Sequence, residues 1–226
     1  MNIDTDSASS FQLPPEVLEI CELAEGIVSK ELMPLEAQFL TSSDHAFGIK
    51  ETLNLQAVFG QETLDYLMKI AKDTGLWTLM IPEEFGGAGL SMLSKVAILE
   101  RFYYTAVPFP FANVPNILYD CKGAQIEKYL NPVMSGAKTT CFAQTEPNAG
   151  SDPGGMMQTK AVKDGDDWII NGTKMWISMA AESDVMMVQV VTDAGKRQRG
   201  GITMFLVDRN NPGVKVEEPG IKTWLG

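Results

Sequence analysis

Residues 158–178 read QTKAVKDGDDWIINGTKMWIS, and the fold turns on how this stretch is parsed. Gln158 to Lys163 and Trp168 to Ile170 are β-prone runs, with Asp164-Gly165 between them. Asn171-Gly172 follows and leads into Lys174 to Ser178. Asp-Gly and Asn-Gly between such runs are strong hairpin signals, because these residues tolerate positive φ. The stretch therefore predicts consecutive antiparallel strands. Outward from it the period of two persists, in Thr139 to Ala143 before it and in Val185 to Thr192, Ile202 to Val207 and Val214 to Glu217 after it. From Ser135-Gly136 onward the sequence predicts an antiparallel β-barrel or sandwich.

The residues before Ser135 have a different texture. Pro14 and Pro15 suit a helix start, and Val17, Ile20, Cys21, Ala24, Ile27 and Val28 follow at three- and four-residue spacing. Pro34 is expected to end or kink that helix. Leu64, Leu67, Met68 and Ala71 form a second stripe stopped by Gly75. Ser91 is a cap for a third helix whose apolar residues are Leu93, Val96 and Ala97, closed before Pro108. Pro115 opens a fourth, and Ala124 to Leu130 form a short fifth. The class is α+β: an all-helical domain over residues 1–138, then a β domain over 139–226.

Composition narrows the function classes. The chain has 226 residues, is 45% hydrophobic and carries a net charge of −11, so it can bury a core but offers no electrostatic footprint for nucleic acid. The cluster Lys196-Arg197-Gln198-Arg199 reads as a solvated, Gly-flanked turn. Cys21, Cys121 and Cys141 are far apart and His45 is the single histidine, which argues against a disulfide scaffold and a metal site. Met1 to Gln12 lacks the basic start and apolar run of a signal peptide. No apolar stretch approaches the roughly 18–20 residues of a membrane span. A cytoplasmic location is expected, and Asn171-Gly172-Thr173 is then a turn rather than a glycosylation site.

Two loops invite chemistry. Gly86-Gly87-Ala88-Gly89 fails both as a P-loop and as a dinucleotide fingerprint, and on physical grounds is a turn. Gln144 to Asp152 follows a strand, carries small residues and ends in a hydroxyl and a carboxylate. Its amides and hydroxyls suit a pyrophosphate, although a plain polar connection would look the same.

Phe142-Ala143-Gln144-Thr145-Glu146-Pro147-Asn148-Ala149-Gly150-Ser151-Asp152, followed by Ile170-Asn171-Gly172-Thr173-Lys174-Met175-Trp176-Ile177-Ser178, resembles the two signature segments of the acyl-CoA dehydrogenase family. Pro82 to Gly89 resembles a third, in the helical domain of that family. The resemblance implies a flavoenzyme of fatty acid metabolism that binds FAD and oxidises the α–β bond of an acyl-CoA thioester. It implies an electron-transfer flavoprotein as partner and a homotetramer or dimer as the complete assembly. By motif position, Thr145 and the backbone of Phe142 to Gln144 would meet the polar edge of the flavin. Gly150 and Ser151 would approach the pyrophosphate, with Ser151 also near the CoA thioester arm. Trp176 and Ile177 would lie against the ring system, and the Ser178 hydroxyl near flavin N5.

The sequence departs from the family pattern at Ser178, where Thr is usual, and at Asn148, where Gly is common and positive φ is tolerated. The family also continues into a C-terminal four-helix domain that supplies the catalytic Glu, whereas this sequence stops at Trp224-Leu225-Gly226. No catalytic residue is therefore assigned within it; Glu83, Glu84 and Glu146 sit in motif turns and are not promoted to the base. The chain alone is expected to be inactive and to hold FAD weakly or not at all. An acyl-CoA oxidase or another flavoenzyme of the same fold, and a non-catalytic CoA- or partner-binding subunit, stand as alternatives. Acyl specificity would depend partly on Leu93 to Tyr103, where Phe102, Tyr103 and Tyr104 either line a pocket or pack helices.

Overall fold

A computed structural model describes residues 13–41 and 55–217. The N-terminal tail, His45 and Trp224-Leu225-Gly226 lie outside the described residues. Two compact units divide the chain, one with residues 13–41 and 55–112, the other with 113–217.

In the first unit, helix α1 (Pro15–Ile27) opens with Pro15 in its first turn, where a missing amide costs nothing. It buries Val17, Cys21, Ala24 and Ile27. The helix does not end at Pro34. A π turn, Val28–Leu32, carries it into α2 (Met33–Thr41), with the Met33 amide reaching back to the Val28 carbonyl. Proline lacks an amide and its ring crowds the carbonyl four residues back; widening the preceding turn relieves both. The second unit repeats the device, with a π turn at Ile126–Leu130 just before Pro132 in α6 (Asn131–Ser135).

Helices α3 (Leu55–Phe59) and α4 (Gln61–Asp73) are separated by Gly60 at φ 76°, and Gly75 at φ 76° ends the run. Ser91 caps α5 (Met92–Phe102), its hydroxyl accepting from the Ser94 amide at 3.1 Å. The buried face of α5 is Ser94, Ile98 and Phe102, not the expected Leu93 and Val96, both of which are exposed. The expected stripe lay one position off the true one, because apolar residues occupy both faces. Phe102 stacks on Phe109 with ring centroids 4.5 Å apart and meets Phe111 edge-on at 5.1 Å, so it is a packing aromatic. Tyr103 and Tyr104 are exposed. Between α4 and α5, a 3-10 turn (Glu83–Phe85) carries Gly86 at φ 86°, and Gly87 comes so close to Ile81 that a Cβ would lie 1.7 Å from the Ile81 oxygen.

The second unit is built on a five-stranded sheet that is mixed, not antiparallel as expected. Its strands are β1 (Thr140–Ala143), β2 (Lys160–Asp164), β3 (Asp167–Asn171), β4 (Val185–Val191) and β5 (Ile202–Asp208). β5 pairs antiparallel along all of β4, while β1 runs parallel on the opposite edge, from Thr140↔Val185 to Ala143↔Val188. β2 joins that same edge in parallel at Lys160↔Val191. β4 is thus covered on both edges, and Val185, Met186, Met187, Val190 and Val191 are buried on both faces. An apolar run of this kind, interrupted only at Gln189, suits a central, partly parallel strand. Turn chemistry reports only local pairing, so it disclosed the β2–β3 hairpin and not the crossover from β1 to β4.

The hairpin turn is Gly165-Asp166, with Gly165 at φ 60° and Asp164 facing Asp167. Asn171-Gly172 is not a hairpin: β3 ends at Asn171, and Lys174 to Ser178 is irregular rather than a strand. Gly172 is needed for another reason, since a Cβ there would lie 2.2 Å from the Thr159 hydroxyl. Val214 to Glu217 forms no strand either.

The Gly87 contact is with backbone and cannot yield by rotating a side chain. Gly87→Ala should lower stability by about 2 kcal/mol or more, a cost in the range of forced overpacking. Gly26→Ala, in α1 with open space around it, should instead raise stability by about 0.5–1 kcal/mol. Urea midpoints of the two variants check the pair; equal midpoints would contradict the contact.

Candidate functional site

The loop after β1 and the segment after β3 are joined by one buried charge pair. Lys174 Nζ lies 2.8 Å from Glu146 Oε1, and the two side chains are only 10% and 4% exposed. The same ammonium donates to the Gln144 carbonyl at 3.0 Å. The carboxylate also accepts from the Gln158 amide at 2.6 Å and the Thr159 amide at 3.0 Å. Burial alone would push the Glu146 carboxyl up, but Lys174, Thr159 and Gln158 outweigh it and hold the group below its ordinary value. Burial lowers the Lys174 ammonium, and its bond to Glu146 offsets only part of that.

Backbone bonds complete the clasp. The Met175 amide donates to the Thr145 carbonyl at 2.9 Å, and Glu146 and Ala149 bond each other across Pro147-Asn148. Beyond that turn Asp152 caps α7 (Pro153–Met156) by accepting from the Gly155 amide at 3.0 Å. Arg197 closes the other end of α7, donating to the Gly155 and Met157 carbonyls at 2.9 and 3.2 Å. The basic cluster expected to be a solvated turn thus contributes a structural arginine.

The clasp brings Gln144 and Thr145 beside Met175, and it presents the neighbours of these residues outward. Trp176 is 64% exposed and Phe142 47% exposed. Ile177 is half-buried, and Gly150, Ser151 and Ser178 are exposed. Ser151 and Trp176 hold positive φ, 56° and 60°, as does Met179 at 63°. Asn148, the position expected to tolerate such a conformation, does not adopt it. A bulky residue in the left-handed region costs about 1–3 kcal/mol, and such strain gathers at ligand sites. Trp176 thus offers a large, flat apolar surface to solvent, held in place by the bonds of its neighbours.

The sequence reading passed over Glu146 and Lys174 as the organising pair and missed Gln189, whose amide oxygen accepts from Gln144 Nε2 at 2.7 Å. Its signal was legible: Gln189 is the single polar residue in β4. A polar recess lined by Lys138, Asp184, Asp208, Arg209, Asn210 and Asn211 lies at the opposite end of β1 and touches none of the predicted residues.

Family models for the acyl-CoA dehydrogenase N-terminal domain and middle domain match residues 15–137 and 141–223. The chain belongs to the acyl-CoA dehydrogenase family. The (R)-benzylsuccinyl-CoA dehydrogenase of Thauera aromatica is 30% identical over 216 residues, 91% of this chain and 52% of that enzyme. Subunit CarC of the caffeyl-CoA reductase-Etf complex of Acetobacterium woodii is 39% identical over 166 residues, 70% of this chain and 42% of that subunit. A glutaryl-CoA dehydrogenase from Mycobacterium smegmatis, solved in complex with FADH2, matches with a TM-score of 0.64 at 28% identity, over 93% of this chain and 48% of that one. The chain spans about half the length of the relatives it matches. As in the sequence, no helix among the described residues is long and apolar enough to cross a membrane.

Replacing Glu146 by Gln leaves the Lys174 ammonium buried without its counter-charge and should cost about 3–5 kcal/mol at neutral pH. The folded carboxyl titrates below its ordinary 4.5, so its contribution is complete above that value and is lost as pH falls through the folded one. Urea midpoints of the wild type should therefore drop on acidification by more than those of E146Q. Parallel acid dependence in the two proteins would contradict the pairing.

Proposed function

We propose that the two clasped loops hold FAD and that the chain serves the α,β-dehydrogenation of an acyl-CoA thioester. The observation that carries this reading is Trp176, exposed and at positive φ, fixed one residue from the Met175–Thr145 bond. The residues fit a flat cofactor with a polar edge and a phosphate arm. Trp176 and Ile177 offer apolar surface to a ring system, Phe142, Gln144 and Thr145 offer amide and hydroxyl donors along its edge, and Ser178 adds a hydroxyl beside the indole. Gly150 and Ser151 offer an exposed amide and hydroxyl to the pyrophosphate, and Ser151 also to the thioester arm of the substrate.

Held by these residues, FAD would supply the acceptor for the hydride equivalent that leaves the β-carbon. What this chain contributes is geometry. The Glu146–Lys174 pair keeps Thr145 and Trp176 at fixed separation, so hydrogen-bond donors are in position before charge develops on the acceptor. The loops supply no base. Within 142–152 and 170–178 the carboxylates are Glu146, which is ionised and fully engaged, and Asp152, which caps α7, so neither is free to take an α-proton within hydrogen-bond reach of a substrate. Proton abstraction falls to a residue beyond these loops, and the 226-residue chain is inactive by itself. Electron exchange with an electron-transfer flavoprotein is supported by the CarC relative, which is named as part of a complex with Etf. A homo-oligomeric complete assembly and a cytoplasmic location accompany this reading.

One reconstitution tests it. FAD is titrated into the full chain and into Trp176→Ala, and each is assayed with acyl-CoAs of several lengths and an artificial acceptor. The wild type should bind FAD, the variant should bind it roughly tenfold or more weakly, the worth of a lost aromatic face, and neither should turn over. Unchanged affinity in the variant would remove Trp176 from the site, and turnover above the blank would put the base inside this chain.

A further inference from the structure

β4 is apolar from Val185 to Val191 apart from Gln189, which is half-buried and faces the loop after β1. The parallel register that ends at Ala143↔Val188 places Gln144 opposite Gln189 at the next step. The two side-chain amides bond each other at 2.7 Å. A buried strand spends stability on an amide where a valine or leucine would pack better. The bond within the pair satisfies only half of what the two amides offer. Each has a carbonyl and an amino group, and one bond between them uses one of each. Among the described residues no other side-chain bond engages Gln144 Oε1 or Gln189 Nε2. Turning both amides over exchanges the roles but still leaves one carbonyl and one amino group open.

We propose that the Gln144–Gln189 pair is a two-point reader of the flavin pyrimidine edge, with Gln189 a positioning and recognition residue. The proposal rests on the FAD reading above and deepens it. That edge presents carbonyl, N–H and carbonyl in order. The open amide oxygen accepts from the flavin N3–H, and the open amino group donates to a neighbouring flavin carbonyl, the same complementarity by which glutamine reads a nucleobase edge. The position suits it: the Gln144 carbonyl is held by Lys174 and the next carbonyl, Thr145, by the Met175 amide, so the backbone carrying the pair is fixed on both sides of the clasp. The pair also explains why both residues are amides, since replacing either alone would strand its partner.

The test compares FAD with its N3-methyl analogue, which lacks the N3–H, by titration into the full chain, into Q144L/Q189L and into Trp176→Ala. The double variant removes both partners together and so avoids stranding one; circular dichroism and the urea midpoint report its fold. Wild type should prefer FAD over the analogue by roughly tenfold, the scale of one hydrogen bond whose loss leaves an acceptor unpaired. Q144L/Q189L should bind both flavins alike, and no more tightly than the wild type binds the analogue. Trp176→Ala should weaken both while keeping the preference. A double variant that retains the preference, or a wild type that binds both flavins equally, overturns this inference and leaves the FAD site standing. A wild type that binds neither overturns the FAD reading and this inference with it. A double variant that fails to fold makes the pair a structural one and overturns the recognition role.

Discussion

The ion pair between Glu146 and Lys174 is the constraint on which the site depends. Two charges removed from water this completely are costly, and their mutual attraction repays that only when the remaining hydrogen-bonding capacity is filled. Here it is filled by the amides of Gln158 and Thr159 and by the Gln144 carbonyl. The result is a junction of three chain segments: the exit from β1, the entry to β2 and the irregular stretch after β3. Thr159 carries the junction into the sheet, because its own carbonyl accepts from the Val191 amide at 2.9 Å. Gly172 lets the third segment approach Thr159 where any side chain would collide.

This arrangement separates holding from reacting. The buried charges are spent on position, which leaves Trp176, Ser151 and Ser178 free at the surface. Strain at Ser151 and Trp176 is tolerable because the neighbouring residues are bonded in place, and preorganised donors lose little on binding. A carboxylate so fully satisfied cannot double as a base near neutral pH, so Glu146 is committed to holding the loops.

Much of this was legible in the sequence, and the failures share a cause. The β2–β3 hairpin declared itself through Asp164-Gly165, and the helix caps through Ser91 and Gly75, because these signals are local. The parallel pairing of β1 with β4 depends on contacts distant in sequence, and its one local hint is the apolar run from Val185, interrupted only at Gln189. Asn171-Gly172 imitated a turn because glycine serves both positive φ and close approach, and the residue it approaches, Thr159, is remote in sequence. Pro34 reads as a helix end or kink, and the sequence does not say which, because a π turn leaves no compositional mark. The candidate site residues are legible only as motif positions, and the pair that joins their two loops is not legible at all: a Glu and a Lys 28 positions apart become partners only through the fold.

In the proposed FAD site Glu146 and Lys174 act as one unit. The most direct measurement is a double-mutant cycle on FAD affinity, using Glu146→Gln, Lys174→Met and both together. Coupled groups predict that either single change weakens binding and that the double variant binds no worse than the weaker single, a coupling of roughly 0.5–3 kcal/mol. Losses that simply multiply, or single variants that bind FAD as the wild type does, would contradict it.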